Sequence, residues 1–115
     1  MPAINFQDRF ASMVQDGSKR QTIRRERRRP IRPGDRLVLY AGLRTKKARK
    51  LLEDKCKRAS KIEIGERYVK VDGNLLDPLE RTALAVADGF LGPAGFYEFF
   101  RERYGLPFKG VLIGW

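Results

Sequence analysis

Pro33-Gly34-Asp35-Arg36-Leu37-Val38-Leu39-Tyr40-Ala41 reads as a turn that delivers a buried strand. Pro presets φ, Gly admits positive φ and Asp bonds to its own backbone, so the first three residues are turn chemistry. Leu37 to Ala41 form a short, continuous apolar run that follows that turn, the clearest buried strand in the chain. Its surroundings decide the class. Short strand candidates stand on either side of helical segments with no βαβ rhythm, which predicts an α+β fold: a small, strongly curved sheet or barrel flanked by two or three helices.

Working outward toward the N-terminus, Arg24 to Pro33 is a loop, because its arginines repel one another and Pro30 and Pro33 forbid regular pairing. Gln21-Thr22-Ile23 before it is extended. Phe6, Phe10, Met13 and Val14 recur at helical spacing and predict a helix over residues 6–16, closed by Gly17, after a strand at Ile4. Toward the C-terminus, Arg44 to Lys50 is polar, basic and ambiguous. Ile62, Ile64, Tyr68, Val69 and Val71 supply strand residues interrupted at Gly65-Glu66, and Asp72-Gly73-Asn74 makes a tight turn. Asp77, Pro78 and Glu80 are the N-cap, N1 and N3 residues of a helix running to about Asp88 and closed by Gly89. Pro93 to Arg103 is a second helix that buries Phe96, Phe99 and Phe100 before Gly105, and Phe108 to Trp115 is the closing strand. Cys56 reads as a half-buried strand residue, and Phe96, Phe99, Phe100 and Trp115 as core.

The chain's 115 residues make one domain, 1–115, with 25 Lys+Arg against 14 Asp+Glu, a net charge of +11. The excess is lopsided: residues 1–58 carry a net charge of +12, and residues 59–115 a net charge of −1. A basic half beside a neutral half points to one polyanion-facing surface, with nucleic acid as the partner and RNA ahead of double-stranded DNA. The basic stretch lacks the wide apolar helical face that membrane binding needs. No apolar run approaches the roughly 20 residues of a membrane span. The N-terminus lacks a basic segment followed by an apolar one, so a cytoplasmic protein is expected. With no histidine and one cysteine, His-based triads, His-ligated zinc and internal disulfides are excluded, and neither metal nor cofactor is expected.

The densest chemistry is Gly17-Ser18-Lys19-Arg20-Gln21-Thr22-Ile23-Arg24. On a strand, Thr22 and Arg24 point to one face, and the glycine turn can bring the Lys19 amine over it. The result is a cationic pocket with a hydroxyl inside, fit for a phosphate or a polarised carbonyl. Tyr40 and Arg44, flanking Gly42, are placed to stack on and clamp a base. Arg20, Arg25, Arg27, Arg28, Arg29, Arg32, Lys46 and Lys47 are candidates for tracking a phosphate backbone.

In these motifs the chain resembles an ASCH domain, a small PUA-like β-barrel module. The matching stretches are G-S-K-R-Q-T-I-R (17–24), P-G-D-R-L-V-L-Y (33–40), A-G-L-R-T-K (41–46), A-D-G-F (87–90) and F-K-G-V-L-I-G-W (108–115), running nearly end to end. Gly17, Lys19 and Arg24 stand in register with the family signature G-x-K-x-x-E-x-R, and Thr22 replaces its Glu. The resemblance implies a barrel of about five or six strands whose signature lines a cleft for RNA or nucleotides. Lys-x-x-Thr-x-Arg is also similar to the bacterial N4-acetylcytidine amidohydrolase branch. That similarity implies Lys19 as base, Thr22 as nucleophile and Asp88 as the nearest match to the branch's acid. Lacking a histidine, a threonine nucleophile would need a lysine whose pKa neighbouring cations push down. The alternatives for Asp88 are a helix-end residue and for Thr22 an ordinary strand residue.

The reading that follows is an RNA- or single-strand-binding module with its ligand at Lys19, Thr22 and Arg24. Its alternatives are a hydrolase of a modified nucleoside, a metal-independent ribonuclease and a protein-binding adaptor.

Overall fold

The computed structural model describes residues 2–115 and is an α+β protein of eight strands and three helices. Strand β1 (Ala3–Phe6) alternates exposed and buried residues and is followed by helix α1 (Asp8–Asp16). Phe6, expected to open the helix, is instead the last strand residue, buried through the alternation of β1. Extended Gln7 ends the strand, and α1 buries Phe10, Ala11 and Val14 before Gly17 takes the left-handed conformation. Strand β2 (Gln21–Arg24) leads into the arginine loop, and the Pro33-Gly34-Asp35 turn into β3 (Arg36–Ala41). In β3, Leu37, Leu39 and Ala41 are wholly inaccessible and Val38 nearly so, so the expected buried strand is covered on both faces.

Strand β4 (Arg49–Lys55) was not expected. Arg49-Lys50-Leu51-Leu52-Glu53-Asp54-Lys55 has no period-two alternation, and it pairs because the β3 edge is there to receive it. It forms the outer strand of a three-stranded sheet ordered β1-β3-β4, with β1 parallel to β3 and β4 antiparallel. The larger sheet contains β5 (Arg58–Ile64), β6 (Val69–Val71), β7 (Asn74–Leu75) and β8 (Phe108–Gly114). Its order is β2-β8-β5-β6-β7, all antiparallel. Asp72 and Gly73, both at positive φ, form the two-residue turn between β6 and β7.

The two ladders do not close into one barrel. They meet at Cys56, which lies in the connection between β4 and β5 and is fully buried, not a half-buried strand residue. Its N–H donates to Asp35 O and its carbonyl accepts from Gly34 N, both at 2.7 Å, while Lys57 N donates to Gly114 O at 2.8 Å. At the opposite seam, side chains make the connection: Arg24 Nη2 donates to Asn5 O and Arg27 Nη2 to Ala3 O, both on the free edge of β1.

Helix α2 (Pro78–Ala87) begins with a reciprocal capping box, Asp77 Oδ1 accepting from Glu80 N and Glu80 Oε1 from Asp77 N. It ends in a Schellman motif: Phe90 N donates to Ala85 O and Gly89 N to Val86 O. Helix α3 (Pro93–Tyr104) stacks a chain of rings against the core, Phe96–Phe100 at 5.0 Å and Phe100–Phe108 at 5.4 Å between centroids. Among the described residues no helix is long and apolar enough to cross a membrane.

Gly89 (φ +99°) has no room for a side chain, since a Cβ would lie 2.9 Å from the Phe10 ring. Gly89→Ala is therefore expected to destabilise by about 2–4 kcal/mol, from left-handed strain plus overpacking. Gly95→Ala, inside α3 with only a 3.9 Å contact to Phe90, is expected to stabilise by about 0.5–1 kcal/mol. Urea unfolding of both variants checks the pair.

Candidate functional site

The turn after α1 is tied tightly. Ser18 N and Oγ both donate to Asp16 Oδ1, at 2.8 and 2.7 Å, and Lys19 N donates to Met13 O at 2.9 Å. These bonds send the Lys19 side chain inward, where it is 3% exposed. Lys19 Nζ donates to the backbone oxygen of Asp88 at 2.5 Å and to its Oδ1 at 3.2 Å. The same amine lies 5.0 Å from the Phe10 ring centroid and 5.9 Å from that of Phe6. Asp88 is the C-cap of α2, so it is both a helix-end residue and the lysine's partner.

On β2, Thr22 and Arg24 face one side, as alternation demands. Thr22 is buried, and its Oγ1 accepts from Arg24 Nε at 3.0 Å. Arg24 Nη2 donates to Asn5 O at 2.7 Å, and the guanidinium lies 5.0 Å from the Phe6 ring centroid. Lys19, Thr22, Arg24 and Asp88 thus line one pocket of about 60 Å³. Its walls include Phe6, Phe10, Phe90, Phe99, Phe100 and Tyr104, and Arg103 stands beside them. The volume suits a handful of waters, hence a phosphate, a carboxylate or one edge of a nucleobase. Donors dominate the lining, with Asp88 its only carboxylate.

Burial shifts both members of the ion pair toward neutrality. Desolvation pushes the Asp88 carboxyl up to about 6, against the opposing pull of Lys19, Gln21 and Arg24. Desolvation also lowers the Lys19 pKa, Asp88 resists that shift, and the Arg24 charge adds to it. No hydrogen bond joins Lys19 Nζ to Thr22 Oγ1.

Other expected site residues lie elsewhere. Tyr40 and Arg44 do not line the pocket. Tyr40 is half-buried on β3 beside Asn5 in the parallel register, and Arg44 is exposed at φ +68° in the loop after Gly42. Lys46 and Lys47 are exposed in that loop. Arg20 is exposed, donating to Trp115 O at 3.2 Å and lying 3.8 Å from Asp54. Arg25 stacks 5.0 Å from the Tyr104 ring centroid, and Arg27, Arg28, Arg29 and Arg32 are exposed. Sequence reasoning missed Asn5, Arg103 and the aromatic wall. Phe99 and Phe100 read only as core because helical spacing reports burial, not what the inner ends of the rings enclose. Among the described residues no His, Cys, Asp and Glu group could hold a metal ion.

Asp88 gives the pocket a pH dependence. Its folded midpoint, about 6, lies above the 3.8 of an ordinary aspartate, so the folded state binds the extra proton between those values. The resulting stability is complete below pH 4 and is lost as pH rises toward 6. The unfolding free energy of the wild type minus that of Asp88→Asn is expected to shrink over that window. Exposed Asp16 and half-buried Glu53, whose hydrogen bonds hold them low, act oppositely but cancel in the difference. Urea titrations from pH 4 to 6.5 measure it, and a flat difference would contradict the assignment.

Comparison with protein-family models, curated proteins and solved structures finds no match to this chain.

Proposed function

We propose that the protein is an ASCH-type module, its two sheets the halves of a PUA-like barrel, that binds RNA or another single-stranded nucleic acid by taking one nucleotide at the Lys19–Thr22–Arg24 pocket. One observation carries this reading: three cations (Lys19, Arg24 and Arg103), the Thr22 hydroxyl and the Asp88 carboxylate share a small pocket walled by six aromatic rings. Aromatic walls accept the face of a base, and the donors suit its carbonyl edge or an attached phosphate. At about 60 Å³ the pocket holds only part of a nucleotide, which leaves the sugar and phosphate outside, next to the arginine loop.

A second reading, hydrolysis of an N-acylated nucleoside, is favoured by the placement of Lys19, Thr22 and Asp88 in one pocket. Asp88, with its raised pKa, would take a proton from Lys19, and the neutral amine would then accept the Thr22 hydroxyl proton. Thr22 Oγ would attack the acyl carbon, the C–N bond would break, and the leaving amine would take the proton from Lys19. Water would then hydrolyse the Thr22 ester. The resting contacts favour binding over this chemistry. Lys19 donates to Asp88 and not to Thr22, and the Thr22 oxygen already accepts from Arg24.

Arg24→Met and the charge-neutral double variant Lys19→Met/Asp88→Asn are each expected to weaken oligoribonucleotide binding about 10- to 150-fold, the value of hydrogen bonds to a charged group. Thr22→Val removes one neutral hydrogen bond and should cost about 2- to 12-fold. Fluorescence anisotropy on folded variants, verified by circular dichroism, reads these changes. Turnover of N4-acetylcytidine by the wild type, abolished in Thr22→Val with binding retained, would replace the first reading by the second.

A further inference from the structure

Two arginines that bracket the start of the basic loop are anchored on one strand edge. Arg24 Nη2 donates to Asn5 O and Arg27 Nη2 to Ala3 O. Ala3 and Asn5 are alternate residues of β1, so these carbonyls point the same way about 7 Å apart. The β1 main chain thereby sets two guanidinium groups at roughly the phosphate-to-phosphate step of an extended nucleic-acid strand. Arg24 uses Nε and Nη2 within the protein and Arg27 uses Nη2, leaving the remaining N–H groups of each for a ligand.

Past Arg27 the row continues into a groove of about 600 Å³ lined by Arg27, Arg28, Arg29 and Arg36, with Asp35 its only carboxylate. That carboxylate is engaged, Asp35 Oδ2 accepting from Arg32 N at 2.9 Å, and Arg36 pairs with Glu53. Arg28 and Arg29 form no ion pair among the described residues. Pocket and groove therefore lie at the two ends of the β1 edge, Asn5 and Phe6 lining the pocket and Pro2 the groove, with the anchored Arg24 and Arg27 between them.

We infer that the ligand is a single-stranded oligonucleotide rather than a free nucleoside or nucleotide: the base edge of one nucleotide enters the pocket, and the phosphates on one side of it pass over Arg24 and Arg27 into the arginine groove. This rests on the proposed reading of the pocket and adds a minimum length and a path. A base held in a duplex cannot reach a pocket enclosed by rings, which selects an unstacked strand. The anchored guanidiniums are ordered before binding, so less side-chain freedom is lost when phosphates arrive.

The test compares uridine and cytidine monophosphates with di-, tetra- and octaribonucleotides of the same bases, by calorimetry and anisotropy at several salt concentrations. Wild-type affinity is expected to rise from mono- to tetranucleotide and then level off. Arg28→Ala/Arg29→Ala should remove the gain beyond the dinucleotide, bringing the tetranucleotide down to about the dinucleotide value. Its log–log salt slope should be smaller by about 1.4, at about 0.7 per lost single-strand contact. A tetranucleotide that binds no tighter than the mononucleotide overturns the path and leaves the pocket reading standing. Oligonucleotide binding that depends on Arg28 and Arg29 but ignores Arg24→Met overturns the pocket reading, and with it the placement of a nucleotide there. Equal displacement of the tetranucleotide by polyglutamate of matched length overturns the choice of nucleic acid as occupant. A charge-reversed Arg28→Glu/Arg29→Glu protein, its fold verified by circular dichroism, must likewise lose the gain beyond the dinucleotide.

Discussion

The contact on which the site depends is the buried ion pair between Lys19 and Asp88, residues 69 positions apart. It ties the turn after α1 to the C-terminal end of α2. The lysine also satisfies the Asp88 carbonyl, which the Schellman motif leaves without an intrahelical partner. Stability alone does not call for such a pair. Desolvating two charges costs several kcal/mol per ion, and apolar side chains of similar size often serve as well. The pair instead holds an amine and a carboxyl, both shifted toward neutrality, inside a ring of phenylalanines where a polar ligand can meet them.

The same economy appears at the seam between the sheets. The free edge of β1 presents carbonyls that another strand would ordinarily cover. Guanidinium groups of Arg24 and Arg27 cover two of them. Arg24 therefore belongs to the strand edge, to the Thr22 hydroxyl and to the pocket together. The sheet seam and the pocket wall are coupled at this residue: whatever reorients its guanidinium moves both. The opposite junction, at Cys56, is held chiefly by main-chain bonds, with the Cys56 Sγ–Arg58 O contact and the Arg20–Asp54 ion pair beside them.

Much of the frame was legible because its signals are local. The strand at Ile4, the buried run of β3, the Asp77–Glu80 capping box and the Asp72-Gly73 turn each follow from a few neighbouring residues. Strand β4 was not legible, since an edge strand with charged side chains lacks the period-two pattern and is formed by the partner that pairs with it. Phe6 was misplaced because one aromatic residue fits both a strand's alternation and the spacing of the following helix.

For the site, sequence alone determined the charge asymmetry, the Thr22–Arg24 pair on one strand face and the absence of histidine chemistry, because composition and i, i+2 geometry need no folding to be read. The tertiary structure decided which groups meet. Asp88 reaches Lys19 only when α2 ends beside the α1 turn, and Tyr40 and Arg44, near in motif, are left outside the pocket. Whether a phenylalanine fills a core or walls a cavity is likewise settled by what packs on its far side. The raised Asp88 pKa exists only once the chain has closed over it, since desolvation is a property of the surroundings and not of the residue.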